Sequence, residues 1–460
     1  MWWDGLMGDL MSVDDDALGA ALRVAFRAAV EQGLVGPDRP VAGLLDVAGI
    51  EATVADLRAA FDTPGVTVTH TLAVKAASLV PVLRLLTTHG VGAEVASPGE
   101  LALARAAGVP ADRIVLDSPA KTVDELREAL ALGIAVNADN PQELARIDAL
   151  VVGSASTGSP LGLRINPQIG GGTIGAMSTA TDHSKFGIAL RDPGAEDWVL
   201  RAYLDRPWLT RLHVHTGSQG MPLELMAAGV RAVHDLAERI NAAVGRPQVT
   251  TIDIGGGLPV NFDSDDVRPG FRRYADLLRS AVPGLFSGRY AIVTEFGRSL
   301  LAKRGAILAR VEYVKSAGGR RIAVTHAGAQ VATRTVFAPD AWPLRVLALD
   351  AYGRPKGGER VVQDVAGPCC FAGDLVARGR MLPGLEAGDH VALLDTGAYY
   401  FSNHFAYNSL LRPAIYGFAR AGGAVRFGLV RAAQTREELL AESGAAYADG
   451  LTSLRPGSAA

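Results

Sequence analysis

An α/β barrel followed by a mostly β domain is the fold class predicted for this chain of 460 residues. Three observations carry that prediction. From about residue 40 to 300, short apolar runs alternate with helical patterns, which implies right-handed βαβ units and a parallel sheet. After residue 300 the alternation stops, and short strands follow one another through turns rich in Gly and Pro. Polar or glycine clusters also recur just behind the apolar runs, where the carboxyl ends of barrel strands share one mouth.

In chain order, residues 1–39 hold one amphipathic candidate, Asp15–Gln32, able to pack on either domain. The strand candidates of the barrel domain, 40–305, are Val41–Asp46, Val66–Lys75, Val91–Ala96, Arg113–Asp117, Ile134–Ala138, Leu161–Ile165, Arg211–His215, Thr250–Ile254 and Ala291–Glu295. Helix-like stretches lie between them, among them Ser78–Thr88, Pro98–Ala107, Thr122–Leu132 and Leu223–Val244. Ser97-Pro98 with Glu100, and Thr122 with Asp124 and Glu125, are helix-start signals. Eight or nine strands suit a closed, TIM-like (β/α)8 barrel better than an open sheet, a choice that periodicity alone leaves open. Gly153–Pro160 reads as a surface loop, and the stretch from Gly170-Gly171-Gly172 to Asp182 is long and polar, with the composition of a mobile loop. In the second domain, 306–460, the strand candidates are Ala306–Val314, Arg321–Thr325, Val361–Val365, His390–Leu394 and Val425–Val430, with no comparable helices between them.

Composition narrows the function. A hydrophobic share of 48% supplies a large core, and a net charge of −3 with interspersed signs offers no basic face to nucleic acid or anionic lipid. No apolar run approaches the roughly 20 residues of a membrane helix, and the amino terminus lacks the pattern of a secretory signal. The cysteines, Cys369 and Cys370, are adjacent and build neither a disulfide framework nor a metal site, so a reduced cytoplasmic setting is expected.

Lys75 closes the run Val66–Val74. Such a lysine is usually a snorkelling surface residue, but desolvation lowers a lysine's pKa and makes it a competent imine former. Glu94 ends the next strand. Gly255-Gly256-Gly257 follows Thr251–Ile254; a plain strand-to-helix turn explains it, and so does a backbone nest for phosphate. Glu295 and Arg298 end a later strand, either as a local ion pair or as partners of a pyridine nitrogen and of the same phosphate. His215, flanked by His213, is a core histidine or a flat ring that stacks on an aromatic cofactor, and Ser218 is a phosphate donor beside it. Together these clusters are what a phosphorylated aromatic aldehyde needs.

The segments Ala73–Ala76, Gly92–Leu101, Arg164–Pro167, Ser184–Gly187, His213–Gln219, Asp253–Gly257, Glu295–Arg298, Gly367–Asp374, Gly397–Tyr399 and Tyr407-Asn408 carry a resemblance. With them the chain resembles the fold type III (alanine-racemase-fold) pyridoxal-phosphate decarboxylases, which act on diaminopimelate, ornithine and arginine. The resemblance implies a homodimer with shared active sites that takes a small amino-acid substrate and pyridoxal 5'-phosphate. By that resemblance Lys75 would hold the cofactor as an internal Schiff base, and Glu94 and Arg164 would lie close to it, Arg164 near the ring hydroxyl. His215 would stack on the ring, and Glu295 would keep its nitrogen protonated. Ser218, Gly255, Gly256, Gly257, Gly297, Arg298 and Tyr399 would bind the phosphate. Cys370, reaching in from the partner subunit, would return a proton to the α-carbon.

The departures from the family pattern concern the substrate. Where relatives place an acid after the reactive cysteine, this chain has Phe371, and where they place a second acid it has His326. Each lost carboxylate removes a charge-assisted contact of very roughly 1.5–3 kcal/mol to a distal ammonium. Arg334 matches the family's arginine for a distal carboxylate, and Asp374 closes the cysteine segment, so His326, Arg334, Phe371 and Asp374 are the substrate-binding candidates. Ala77, Phe296 and Ala338 replace an expected asparagine, proline and tyrosine. A distal end that is neutral, aromatic or anionic follows, unless acids such as Asp340 or Glu359 compensate. Alternatives within the fold are a siderophore-type decarboxylase of a carboxylate-rich conjugate and an amino-acid racemase. A barrel that merely carries the cofactor is the non-enzymatic alternative, and the second domain speaks against it.

Overall fold

The structure, a computed structural model, describes residues 20–151 and 158–454. Residues 15–19 of the expected amino-terminal helix and 153–157 of the expected surface loop lie outside the described residues. The chain divides into two compact units: Asp46–Gly305 with Asp395–Ser402, and Met1–Leu45 with Ala306–Leu394 and Asn403–Ala460.

The first unit is a closed parallel barrel. Its eight strands are Val68–Ala73, Gly92–Val95, Ile114–Leu116, Ala135–Ala138, Leu161–Asn166, Leu209–Val214, Thr251–Asp253 and Ala291–Phe296. Each pairs in parallel with the next, and the eighth returns to the first through Glu295 opposite Thr71. Closure therefore settles the choice between barrel and open sheet. The connecting helices start and stop where local chemistry directs. Thr122 and Glu125 form a reciprocal capping box on Val123–Leu132, which ends at Gly133 with φ 72°. Leu223–Val244 buries Met226, Val230, Val233, Ala237 and Ile240 at helical spacing and stops at Gly245, φ 74°. The helices Val47–Phe61, Val80–Thr88, Pro98–Ala106, Pro141–Val151, Ala195–Asp205 and Phe271–Ala281 complete the alternation.

Val41–Asp46 forms a strand but does not belong to the barrel. It lies in the other sheet, between Gly305–Ala317 and Ile415–Ala421. Its Ala42 and Leu44 join a core with Leu308, Leu347, Ala392 and Phe418. A short buried apolar run carries no mark of which sheet it enters. The helix Ala20–Glu31 packs on that same core through Leu22, Ala25, Phe26 and Ala29. Asp46 then caps the first outer helix, accepting the N–H of Gly49.

The second unit is built on one sheet, in the order Leu375–Pro383, Arg360–Ala366, Arg320–Thr325, Gly305–Ala317, Val41–Asp46, Ile415–Ala421 and Ala424–Arg431. His390–Leu393 pairs with Gly305–Ala317, and Val346–Leu349 pairs with His390–Leu393. Two helices interrupt the expected all-strand tail, Ala329–Phe337 and Arg436–Glu442. The first was hidden by its composition: β-branched residues raise its strand signal, and it kinks at Ala332. Among the described residues no helix is long and apolar enough to cross a membrane.

Candidate active site

The carboxyl ends of the barrel strands bring Lys75, Glu94, Arg164, His215, the 255–257 glycines, Glu295 and Arg298 into one unit. Lys75 sits in a single turn, Val74–Ala76, directly behind the first strand. Its ammonium is 2.5 Å from Oε2 of Glu94, which is 2% exposed at the end of the second strand. The lysine side chain retains 45% of its surface, so the amine is reachable. Burial pulls its pKa down, but Glu94, then Tyr399 and Glu295, outweigh burial and hold it above the usual lysine range. The lowered pKa expected from desolvation alone is thus reversed in the free chain. Burial raises Glu94 in turn, which makes that carboxylate the near acceptor for the ammonium proton.

His215 lies just past the sixth strand, and its Nδ1 accepts the N–H of Gly256 at 3.1 Å. Burial, then Arg164, Lys75 and His213, push its pKa well below the ordinary value, so the ring is neutral. Arg164 is 6% exposed; it lies 3.8 Å from Asp117 and 4.0 Å from Asp139, with its guanidinium 4.3 Å from the Phe186 ring centre.

The glycines are required by close approach. A Cβ at Gly256 would lie 2.1 Å from the Glu295 carbonyl oxygen, and one at Gly257, φ +92°, would lie 1.9 Å from that of Gly217. Such a bare backbone turn is the cradle a phosphate needs. Arg298, 4% exposed at the start of the helix Arg298–Leu301, lies over the Tyr399 ring at 4.4 Å. Gly297 leaves no room for a side chain, since a Cβ there would be 2.8 Å from that of Ala76.

Tyr399 was expected in the second domain but belongs to the barrel unit. Its segment is pinned there by Thr396 N–H to Gly305 O, Gly397 N–H to Ala302 O and Tyr399 N–H to Ala76 O, at 3.0, 3.1 and 2.6 Å. Ser402 also donates to the Lys75 carbonyl at 2.9 Å. Phe296, standing where a proline was expected, fills an aromatic cluster with Phe61, Phe271 and Tyr274.

The carboxylate of Glu295 is 3% exposed, and its Oε1 has no hydrogen-bond donor among the described residues. A buried acceptor left open beside a neutral histidine and a glycine cradle fits a protonated pyridine nitrogen. The residues present therefore suit pyridoxal phosphate. His213, His215 and Glu295 also converge within 4.8 Å, but the Nδ1 of His215 is engaged by Gly256 and His213 stands between two carboxylates. Asp117 and Asp139 were missed, although the strand-end rule that singled out Lys75 applies to them equally.

The sheet unit holds the cysteines and the substrate-binding candidates. Cys369 is buried, and burial with Asp374 pushes its thiol up to about 11, whereas Cys370 is exposed with its N–H on Oδ1 of Asn408 at 2.8 Å. Phe371 stacks on Phe337 at 5.5 Å and meets Tyr407 edge-on at 5.4 Å. Phe405 completes a four-ring cluster against Phe337 and Tyr407. Arg334 lies 5.0 Å over the Trp342 ring, and His326 is 3.8 Å from Glu312, which pairs with Arg310. Asp374 departs from its expected role. It is 3% exposed, and its two oxygens accept the N–H groups of Ala329 and Cys369 at 2.6 and 2.7 Å, so it braces the cysteine loop. Asp340 and Glu359 are exposed.

Residues 47–302 match the family described as pyridoxal-dependent decarboxylase, pyridoxal binding domain. The chain is 33% identical over 344 residues to the diaminopimelate decarboxylase of Pseudomonas fluorescens, covering 74% of this chain and 79% of that one. Among solved structures it resembles the Helicobacter pylori diaminopimelate decarboxylase complexed with L-lysine, at TM-score 0.78 and 26% identity, over 90% of this chain and 99% of that one. It also resembles the Vibrio vulnificus lysine/ornithine decarboxylase complexed with cadaverine, at TM-score 0.71 and 25% identity, over 87% of this chain and 99% of that one. With its lysine, glutamates and glycine cradle gathered at one barrel mouth, the chain belongs to the pyridoxal-dependent decarboxylases, and it is a pyridoxal-phosphate-dependent carboxy-lyase.

Proposed function

We propose that the enzyme removes the α-carboxylate of an amino acid whose distal end is not an ammonium. The observation that carries this reading is Phe371, locked in an aromatic cluster directly after Cys370, where related decarboxylases carry an acid. A half-buried phenyl ring cannot offset the loss of water around a distal ammonium, whereas it receives an apolar or aromatic side chain without penalty. Arg334, half-buried over Trp342, favours a second class, a substrate ending in a carboxylate.

The residue roles proposed rest on the family resemblance, and the geometry supports them. Lys75 would be the covalent anchor, and Glu94 would take the proton that its ammonium must lose. Neutral His215 would stack on the ring of a bound cofactor, and Arg164 would lie near its hydroxyl. Glu295 would accept from the pyridine nitrogen, and Ser218, Gly255, Gly256, Gly257, Gly297, Arg298 and Tyr399 would hold the phosphate. When bound, pyridoxal phosphate supplies the sink for the electron pair released with CO₂. Cys370 of a second copy gives a proton to the α-carbon, so a homodimer with shared sites is part of the proposal. His326 and Arg334 meet the distal end, and Asp374 supports the loop without touching it.

The test is CO₂ release across amino acids with apolar, aromatic, anionic and cationic side chains, with mass analysis of each product. Efficient turnover of meso-diaminopimelate, lysine or ornithine would overturn the distal-end reading. An inverted amino acid with no CO₂ would make the enzyme a racemase.

A further inference from the structure

A buried charge cluster links three barrel strands near their carboxyl ends, and the roles above leave its central residue unassigned. His213 is 0% exposed on the sixth strand. Its Nδ1 is 2.9 Å from Oδ2 of Asp117, behind the third strand, and its Nε2 is 3.5 Å from Oε2 of Glu295, on the eighth. Both are ion-pair distances whose angles fall short of a hydrogen bond. The neighbouring strands place Arg164 and Asp253 in register with His213. Asp253 is 0% exposed and paired with Arg211 at 3.1 Å.

We propose that His213 is a positioning residue that acts through Glu295: as an imidazolium wedged between Asp117 and Glu295, it keeps the Glu295 carboxylate ionised as the acceptor for the pyridine nitrogen. The inference rests on the proposed role of Glu295. Among the described residues His213 is the only cation within 4.0 Å of that carboxylate, because the other contact, His215, is neutral. The two carboxylates overcome burial and push the His213 pKa up to about 10. The neighbouring arginines are committed to other acids, Arg164 to Asp117 and Asp139 and Arg211 to Asp253. Burial and repulsion by Glu295 push Asp253 up to about 7, even with Arg211 and His213 acting against the rise. Without His213 the Glu295 carboxylate would face a second buried acid with no cation of its own in contact, and a protonated Glu295 would donate where it must accept. A phenyl or amide of equal size in place of His213 would fill the same space without holding that charge.

The test begins on the cofactor-free protein, with ¹⁵N-labelled histidine observed by NMR. One imidazole of the nine histidines should remain doubly protonated at about pH 8, where an ordinary histidine is neutral. That signal should vanish in His213→Gln, and Glu295→Gln should lower its midpoint by roughly one pH unit or more. With cofactor labelled at the pyridine nitrogen, His213→Gln should lower the pH at which that nitrogen loses its proton by roughly one unit. In a Glu295→Gln background it should add nothing. A parent protein whose His213 ring is neutral at about pH 8 overturns the proposal without any variant. So does a His213→Gln protein whose pyridine nitrogen titrates like the parent's. Failure of the cofactor to bind would sink the role of Glu295 instead and leave the cofactor-free measurement readable.

Discussion

Replacing Phe371 by glutamate should restore recognition of a distal ammonium at a stated structural cost. The new carboxylate occupies the position after Cys370, and a charge-assisted contact to an ammonium contributes roughly 1.5–3 kcal/mol, or about 10- to 150-fold in kcat/KM. Against that, Phe371 loses a stacked contact with Phe337 and an edge contact with Tyr407. Each ring pair is worth roughly 0.5–1.5 kcal/mol beyond its buried area, so the fold should lose about 1–3 kcal/mol and a few degrees of Tm. The assay is CO₂ release from lysine and from an aromatic amino acid, parent against variant, with thermal melts alongside. The ratio of the two kcat/KM values should swing toward lysine by at least about tenfold. A folded Phe371→Glu enzyme whose ratio stays unchanged would refute the assignment of this position to the distal pocket.

Gly257→Ala should weaken cofactor binding by roughly tenfold or more, since φ +92° strains any L side chain and the added Cβ meets the Gly217 carbonyl; an absorbance titration of the cofactor-free protein reads it. Arg298→Ala should raise the cofactor Kd by about 10- to 100-fold by removing a buried guanidinium from the phosphate, read by the same titration. The His213 pKa is raised in the folded chain, so its stabilising contribution is fully present below its unfolded value and is lost as pH climbs through about 10. Melts of the parent should therefore fall more steeply between pH 7 and 10 than those of His213→Gln, and parallel curves would contradict the charge cluster.

The sequence makes the site unevenly legible. Lys75, His215, the three glycines, Glu295 and Arg298 announce themselves because the chemistry sits where a strand ends, and a strand end is a local sequence event. Asp117 carries the same mark yet passed unnoticed, since an aspartate after Leu116 reads equally well as a turn residue. Asp374 was assigned to the substrate from its place beside the cysteines. Its burial under two backbone N–H groups depends on Ala329, 45 residues away in sequence. Val41–Asp46 shows the same limit at the level of the fold.

By itself the sequence determined what short-range chemistry writes into it: the alternation of strand and helix, the caps at Thr122 and Gly133, the lysine behind an apolar run, and Phe371 in place of an acid. Only tertiary structure decided which groups share a dielectric. It closed the barrel, moved Tyr399 into the barrel unit, turned the Lys75 pKa upward against its burial and set His213 between two carboxylates from distant strands. Hydrophobic periodicity and capping are properties of neighbours along the chain, whereas a Coulomb interaction depends on through-space distance and on the water excluded between the partners.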